Sequence, residues 1–305
     1  MDIGLSSYGT GAVPELLTEI EHAAASGFSR FWLGEHGGWD PLTVFAALGD
    51  RAPGIDLGTS VVGTYPRHPL ALAAQALTTQ AATGGRLTLG VGPSHAPVVA
   101  SRYGLTWQSP LRHTRETLEV LAPVLHGEEV EVHGTSITAA GGVTAPGVTP
   151  PPLLLAANGP RMLALAGEHA DGALTMWTTP RFLGETVVPT VTTAAAGRAA
   201  PRIAVGLLAS VTSDVEGARH RVNTDFRQAA TLPTFRALLD RQGSTGPDDT
   251  LVAGNEAHVE MTAARFADAG ATELIIFPVG RPEDRDRTIA LFADLAGRGR
   301  VPDPV

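Results

Sequence analysis

The chain has 305 residues, of which 43% are hydrophobic and 17% are charged, and its formal net charge is −9 at pH 7. This composition is typical of a soluble globular protein, and the negative charge argues against a general nucleic-acid binder. Cysteine and lysine are both absent, which excludes disulfides, thiol nucleophiles, Schiff-base catalysis and the lysine of a phosphate-binding P-loop. The apolar runs are short and no secretion signal is visible, so we expect a cytoplasmic protein without a membrane span.

Short apolar segments alternate with longer segments of helical periodicity along the whole chain. The predicted strands are residues 3–6, 30–34, 55–62, 86–91, 153–157, 172–176, 202–211 and 273–277. The predicted helices are residues 14–26, 41–51, 69–82, 110–125, 160–170, 180–196, 214–241, 256–269 and 282–296. Several of these helices begin with proline, which suits a first helical turn because its missing N–H has no partner there.

Eight strand–helix units in series, without a break in composition, predict an α/β fold. We expect a single closed (β/α)8 TIM barrel over residues 1–305, with an open doubly wound sheet as the alternative. Residues 127–152, inserted between the fourth helix and the fifth strand, are predicted to form a short hairpin and then a loop rich in Gly, Pro and Thr. We expect this insertion near the active-site mouth, as a lid or a substrate wall.

The active site of a parallel barrel lies where the strands end. In this chain those positions hold many glycines, prolines and small hydroxyl residues but few acid–base groups. That pattern suits the binding of a flat ligand by backbone atoms better than hydrolysis by paired carboxylates. The histidines show no metal-ligand spacing and no G-x-S-x-G motif is present, so we predict neither a metal nor covalent catalysis.

The segment LLLAANGPRML (residues 153–163) ends an apolar strand with Asn158, Gly159 and Pro160 and begins a helix at once. Free N–H groups of a first helical turn at the barrel mouth bind anions well. Arg161 adds a formal charge and a forked set of donors. The alternative is that Gly159 only permits a tight turn and that Arg161 is solvated.

Two further segments follow predicted strands. TLGVGPSH (residues 88–95) contains Gly-x-Gly but lacks the third glycine and the distant acidic residue of a dinucleotide fingerprint. Its glycines therefore indicate a close approach of a planar ligand to the backbone. His36, in LGEHGGWD, directly follows the second strand and suits a proton donor or hydrogen-bond partner near neutral pH. The alternative is a structural histidine that holds a loop.

Three segments together resemble the luciferase-like monooxygenase superfamily: GFSRFWLGEH (27–36), DLGTSVVGTYPRHPLALAAQALTTQAATGGRLTLGVGPSH (56–95) and LLLAANGPRMLALAGEHADGAL (153–174). The resemblance covers essentially the full length, and it is strongest to the F420-dependent oxidoreductase branch of actinobacterial type. Proteins of this superfamily are (β/α)8 barrels that use FMN or the deazaflavin coenzyme F420. The resemblance therefore implies a bacterial luciferase-like barrel.

The resemblance implies that residues 157–162 bind the phosphate of the coenzyme through backbone amides. It also implies a non-proline cis peptide bond between Ser60 and Val61, in a bulge behind the deazaflavin ring. Glu35 and His36 match the acidic–histidine pair that lies beside the ring in sugar-phosphate dehydrogenases of the family. The coenzyme-binding residues that we predict are Glu35, Ser60, Val61, Gly63, Gly92, Pro93, Ala157, Asn158, Gly159, Pro160, Arg161 and Met162.

Those dehydrogenases carry a second carboxylate after the fourth strand, where this chain has Pro93, Ser94 and His95. The difference argues against the same sugar substrate and leaves Ser94 or His95 as further proton-handling groups. The predicted catalytic residues are therefore His36, Ser94 and His95. The predicted substrate residues, each with a core position as its alternative, are Trp39, Trp177 and Phe277.

The resemblance implies hydride transfer between the deazaflavin of F420 and a small organic substrate. We expect reduction of an activated C=C or C=N bond, as in an enone, an imine or a dehydroamino acid. An FMN-dependent monooxygenase that works with a flavin reductase is the main alternative, and a non-catalytic flavoprotein is a second. A homodimer is expected because proteins of the family are often dimeric.

Overall fold

The computed structural model describes residues 1–36 and 38–299. The predicted domain covers residues 1–305, so its residue 37 and its residues 300–305 lie outside the described part. The elements in chain order are β1 (Asp2–Ser7), α1 (Val13–Ala25), β2 (Arg30–Leu33), α2 (Pro41–Leu48), β3 (Asp56–Thr59), β4 (Val62–Gly63), α3 (Pro69–Ala82), β5 (Leu87–Gly92), α4 (Ala96–Tyr103), α5 (Pro110–Leu125), β6 (Val130–His133), β7 (Thr138–Gly141), β8 (Leu153–Ala156), α6 (Pro160–His169), β9 (Gly172–Met176), α7 (Pro180–Phe182), a π-helical turn (Leu183–Val187), α8 (Val188–Ala194), β10 (Arg202–Val211), α9 (Val215–Asp225), α10 (Arg227–Ala230), α11 (Pro233–Gln242), a 3₁₀ turn (Pro247–Thr250), β11 (Val252–Gly254), α12 (Glu256–Asp268), β12 (Glu273–Pro278) and α13 (Pro282–Gly299).

Eight parallel strands close into a barrel in the order β1, β2, β3, β5, β8, β9, β10, β12. The ring is closed because β10 pairs with both β9 and β12, and β12 pairs with β1. The predicted (β/α)8 barrel is thus confirmed and the open-sheet alternative is wrong. The third barrel strand is interrupted: β3 ends at Thr59, β4 begins at Val62, and the Ser60–Val61 peptide bond between them is cis, as the resemblance implies.

Most predicted elements agree with the structure to within a few residues, but three regions differ. Residues 214–241 form three helices rather than one, because the backbone is extended at Leu232 and Pro233 starts a new helix. Helix α4 was not predicted, since Val99 is its only buried residue and it has no apolar stripe. Strand β11 was also not predicted; it has three residues and pairs only with the end of β10.

A buried charge cluster fills the lower part of the barrel. Glu273 is 1% exposed and accepts hydrogen bonds from Arg30 (2.6 Å), Trp32 Nε1 (2.8 Å) and Arg202 (2.8 Å). Burial alone would lower the pKa of Arg30, but the charges of Glu273 and Asp56 raise it above its ordinary value. The cluster joins side chains of β2, β10 and β12, so it ties together strands that are far apart in sequence.

The Trp32 side chain lies inside the barrel above this cluster. A Cβ at Gly4 would lie 2.7 Å from the indole ring, and a Cβ at Gly58 would overlap it. Glycines on the two neighbouring strands, β1 and β3, therefore make the room that the tryptophan fills.

The insertion at residues 127–152 contains the predicted hairpin, in which β6 and β7 pair antiparallel. Its turn is held on α5 by Glu116, which accepts backbone N–H groups of Thr135 (3.1 Å), Ser136 (2.6 Å) and Ile137 (2.9 Å). The carbonyl oxygen of Thr138 lies 2.9 Å from Nε2 of His68 at the start of α3. The hairpin thus packs on the helices α3 and α5, and its part in substrate binding stays a prediction.

We expect Glu273→Gln to lower the free energy of unfolding by ~3–5 kcal/mol. The change removes the buried negative charge that the guanidinium groups of Arg30 and Arg202 share. Urea denaturation followed by circular dichroism measures this difference. Glu21→Gln is the control, since the Glu21–Arg51 pair is partly exposed and its loss is expected to cost ~0–1 kcal/mol. Equal losses in the two variants would show that the cluster does not stabilise the barrel.

Candidate active site

The ends of β1, β2 and β3 bring Tyr8, Gly34 and Ser60 to one level of the barrel mouth. Ser7 pairs with Leu33 and Leu33 with Thr59, so the residues that follow them are adjacent. A Cβ at Gly34 would overlap Nε2 of His36 and lie 2.7 Å from the carbonyl oxygen of Ser60. The imidazole of His36 therefore lies over Gly34, directly beside the cis peptide bond.

The surroundings of His36 are aromatic. Its ring centroid lies 5.9 Å from that of Tyr8, which lies 5.8 Å from that of Phe277. Burial by the surrounding protein lowers the pKa of His36, although the residue as a whole keeps substantial contact with solvent. Burial, together with the negative charge of Asp225, raises the pKa of Tyr8. Both shifts favour the uncharged form of the group.

Glu35, predicted to bind the coenzyme, is occupied by protein groups. Arg67 donates to both of its carboxylate oxygens at 2.9 Å, and the N–H of Gly63 donates to Oε2 at 2.9 Å. Arg67 also reaches Asp40 at 2.8 Å. A direct contact between the Glu35 side chain and a coenzyme stays a prediction. Arg67 was not predicted as a site residue, because no local motif indicates its contact with Glu35, which lies 32 residues away.

The ends of β4, β5 and β8 pack closely at Gly92. A Cβ there would lie 3.0 Å from Ala156 Cβ and 3.2 Å from Val61 Cγ2. The absence of a side chain at Gly92 thus makes room for the side chains of Val61 and Ala156 to pack against its backbone. The structure thus brings together the three predicted segments around Val61, Gly92 and Ala157.

The first turn of α6 lies beside this surface. Gly159 is the N-cap, it supplies no side-chain cap, and Pro160 follows at the first helical position. Arg161 is exposed and Met162 is half-buried. Asn158 accepts a hydrogen bond from the hydroxyl of Thr175 at 3.0 Å, which holds the corner against β9. An uncapped helix N-terminus at a strand end is suited to bind an anion.

Two residues of α11 that were not predicted also reach this corner. Nη1 of Arg241 lies 3.8 Å from the position of a Cβ at Gly159. Gln242 donates to the carbonyl oxygen of Trp177 (2.6 Å) and accepts from the N–H of Thr179 (2.9 Å). The sequence holds no local sign of these contacts, which cross more than 60 residues.

Trp177 and His95 lie under α10 and α11 rather than open to the mouth. The Trp177 ring is 2% exposed and contacts Phe235 (4.4 Å between centroids) and Phe226 (5.5 Å). Nδ1 of His95 lies 3.0 Å from the Thr234 hydroxyl, and burial lowers the pKa of His95. A catalytic part for His95 and a substrate contact of Trp177 stay predictions.

The remaining predicted residues lie around the mouth. Trp39 is 48% exposed, and its Nε1 donates to the carbonyl oxygen of Gly11 at 2.8 Å, which ties the loops after β1 and β2 together. Ser94 is half-buried, has a positive φ of 58° and directly precedes His95, the N-cap of α4. Pro93 is half-buried, and its carbonyl oxygen accepts from Trp107 Nε1 at 3.1 Å.

A flat coenzyme with a phosphate group fits the residues present at this mouth. Ser6 Oγ, Ser60 Oγ and Trp177 Nε1 are buried and have no hydrogen-bond partner among the residues that the structure describes. Buried polar groups normally have a partner. The hydroxyls of Ser6 and Ser60 can therefore hydrogen-bond to a ligand, whereas the N–H of Trp177 is covered by Phe226 and Phe235. The uncapped turn at Gly159 offers a place for an anion.

Within residues 1–36 and 38–299, no three His, Cys, Asp or Glu residues are grouped so that they could bind a metal ion. No helix in the same ranges is both long enough and apolar enough to span a bilayer.

Comparison with known proteins decides the family. The sequence model of the family described as luciferase-like monooxygenase matches residues 2–298. The chain belongs to this family. It is therefore an enzyme of the luciferase-like monooxygenase family, as the resemblance implied.

Three curated relatives are named after redox reactions. A 5,10-methylenetetrahydromethanopterin reductase of Methanolobus tindarius is 30% identical over 175 residues, 57% of this chain and 53% of the relative. The enzyme of the same name from Archaeoglobus fulgidus is 29% identical over 252 residues, 80% and 73% of the two chains. A Mycobacterium tuberculosis protein, provisionally named a coenzyme F420-dependent oxidoreductase, is 34% identical over 204 residues, 60% and 58%. This luciferase-like chain thus matches little more than half the length of two of them.

Solved structures share the fold. The coenzyme F420-dependent tetrahydromethanopterin reductase of Methanopyrus kandleri superposes with a TM-score of 0.80 at 22% identity, over 96% of this chain and 97% of that one. The oxygenating constituent of 3,6-diketocamphane monooxygenase of Pseudomonas putida, in complex with FMN, gives 0.74 at 16% identity, over 98% of each chain. At these identities the likeness shows the luciferase-like barrel alone.

We expect His36 to titrate below its ordinary pKa of ~6.5 in the folded protein. Because the unfolded chain then binds the proton more readily, the stability of the wild type relative to His36→Ala decreases as the pH falls from the ordinary to the folded-state pKa. Above the ordinary pKa the difference is constant. NMR titration of the imidazole, with His36→Ala to assign its signals, measures the folded-state value. A midpoint at or above ~6.5 would contradict the burial of the ring.

Proposed function

We propose that the chain is an F420-dependent oxidoreductase that transfers a hydride between the deazaflavin and a small organic substrate. The proposed reaction is reduction of an activated C=C or C=N bond, as in an enone, an imine or a dehydroamino acid. The proposal depends on one observation above all. The uncapped first turn of α6 begins just after Ala156, whose Cβ packs on Gly92 next to Val61, so an anionic tail and a planar ring would have neighbouring places.

The names of the relatives support this choice of coenzyme. Two of the three curated relatives are reductases of a methylene-bridged pterin, and the third is named for F420. The structural neighbour with the TM-score of 0.80 is also named F420-dependent. Reduction of a C=N bond is closer to the chemistry of these names than oxygenation is.

Bound F420 would supply the carbon-bound hydride, which is the two-electron part of the reaction. The residues of this chain would bind and orient the two partners and manage the proton. Backbone N–H groups at Gly159 and the guanidinium of Arg161 would hold the phosphate. His36, at the open side of the mouth, would deliver a proton to the atom next to the carbon that accepts the hydride, and solvent would then reprotonate its ring.

An FMN-dependent monooxygenase that works with a flavin reductase is the second candidate. It is favoured by one specific finding, the likeness to an FMN-bound oxygenating subunit with a TM-score of 0.74. The barrel and the anion corner suit both coenzymes, since each carries a phosphate and a planar ring. The homodimer and the cytoplasmic location also stay predictions, which sedimentation analysis and cell fractionation would test.

Titration of tryptophan fluorescence separates the two coenzymes. We expect F420 to quench the fluorescence at micromolar concentration and FMN to require ~10-fold more, a difference of ~1.4 kcal/mol in binding free energy. Arg161→Gln should weaken F420 binding ~10-fold, because it removes a charge-assisted hydrogen bond. Arg265→Gln, an exposed arginine on α12, is the matched control. Tighter binding of FMN would contradict the F420 proposal.

Single-turnover reduction of a panel of enones and imines by reduced F420 tests the part of His36. We expect His36→Ala to slow the hydride-transfer step by ~10²-fold or more while F420 binding stays within a few-fold. Because His36 acts in its protonated form, the wild-type rate should fall as the pH rises through the lowered pKa of His36. A rate that is unchanged by the substitution would identify a protein that binds the coenzyme without using this histidine.

A further inference from the structure

We propose that Arg67 is a positioning residue of the active site: by binding Glu35, it holds His36 and the Ser60–Val61 peptide in their mutual arrangement. The geometric part concerns this chain alone. The catalytic part depends on the proposed function. Arg67 itself is not proposed to contact substrate.

The first step of the argument is that Arg67 spans two strand ends. Its Nη1 and Nη2 donate separately to the two oxygens of Glu35, each at 2.9 Å, and Nη1 also lies 3.4 Å from the carbonyl oxygen of Gly63. Glu35 in turn accepts the N–H of Gly63 at 2.9 Å. Glu35 follows β2 and Gly63 ends β4, so this fork-and-backbone arrangement clamps the two segments together.

The second step is that the clamp is anchored to a helix. Nη2 of Arg67 also donates to Oδ2 of Asp40 at 2.8 Å. The other oxygen of Asp40 caps α2 through the N–H of Thr43 (2.7 Å) and accepts Nε2 of Gln75 from α3 (2.8 Å). The guanidinium therefore fixes the loop after β2 at both of its ends. Side-chain exposures of 15–25% for Arg67, Glu35 and Asp40 protect the ion pairs from full solvent screening.

The third step links the clamp to the chemistry. His36 is the next residue after Glu35, and Val61 lies two residues before Gly63. The ring of His36 covers Gly34 beside the Ser60 carbonyl, so its position depends on how the two clamped segments are spaced. Lysine cannot replace the arginine here, because a single ammonium group cannot donate to three carboxylate oxygens in this fork geometry.

NMR titration of His36 in the coenzyme-free protein tests the geometric part. If the clamp positions the ring, Arg67→Gln and Glu35→Gln both release it from burial, and both raise the His36 midpoint toward ~6.5. If only charge acts, Arg67→Gln raises the midpoint and Glu35→Gln lowers it, because the second change leaves the arginine unpaired. Shifts in opposite directions, or none, overturn the proposal. The variants leave unchanged Tyr8, which lies beside His36, and Asp225 and Arg285, whose charges act on Tyr8.

Kinetics test the catalytic part. We expect Arg67→Gln to lower kcat of the F420-dependent reduction by ~10–100-fold with the Kd of F420 within ~3-fold, because a shift of about 1 Å in a reacting group costs about this much. The double variant Arg67→Gln/His36→Ala should be no slower than His36→Ala alone, since both changes remove the same contribution. Additive losses overturn the proposal.

Two further variants keep the test interpretable. Arg67→Lys retains the charge and replaces the glutamine variant if that variant does not fold. We expect it to have an intermediate effect on both the His36 midpoint and kcat. Arg51→Gln, which removes the Arg51–Glu21 pair far from the mouth, should change neither the His36 midpoint nor kcat. If both His36 midpoints rise but F420 does not bind, the positioning is supported and the proposed function is wrong.

Discussion

The pairing of β12 with both β10 and β1 is the constraint on which the rest of the structure depends. Once the ring is closed, alternate residues of every strand face a limited interior, so bulky side chains on one strand require small ones on the next. Trp32 follows this rule, because its ring fills the space left by the missing Cβ atoms of Gly4 and Gly58 on the neighbouring strands. The charge of Glu273 is acceptable in the same interior only because three donors from β2 and β10 surround it.

Closure also brings the strand ends together at one mouth. There the missing Cβ atom of Gly34 makes room for the ring of His36, and that of Gly92 makes room for the side chains of Val61 and Ala156. Thr59 stabilises the interruption between β3 and β4: its hydroxyl donates to the carbonyl oxygen of Gly90 and accepts its N–H, each at 2.8 Å. A side chain thus takes over ladder hydrogen bonds where the cis peptide breaks the strand, and the mouth keeps its shape.

Much of the fold was predictable, because each strand–helix unit carries its own apolar periodicity and most of the units have a proline at the start of the helix. The bounds of β9, β10, α3 and α5 agree with the predicted ranges for this reason. The position of candidate residues at the mouth was predictable where they closely follow strands, as at His36 and Gly159. Contacts between residues far apart in sequence were not predictable: Arg67 meets Glu35, and Gln242 meets Trp177, across 32 and 65 residues. The match of Glu35 to a family pair gave no sign that Arg67 binds its carboxylate.

The two sides of the mouth are held by different kinds of contact. The side formed by β2, β3 and β4 is fixed by ion pairs and backbone hydrogen bonds around Glu35 and Arg67. The side above β9 combines ring contacts of Trp177 with Phe226 and Phe235 and hydrogen bonds of Gln242 to the backbone of Trp177 and Thr179. On both sides, therefore, a side chain from a helix or loop bonds the backbone at a strand end, and these directional bonds keep the strand ends in place.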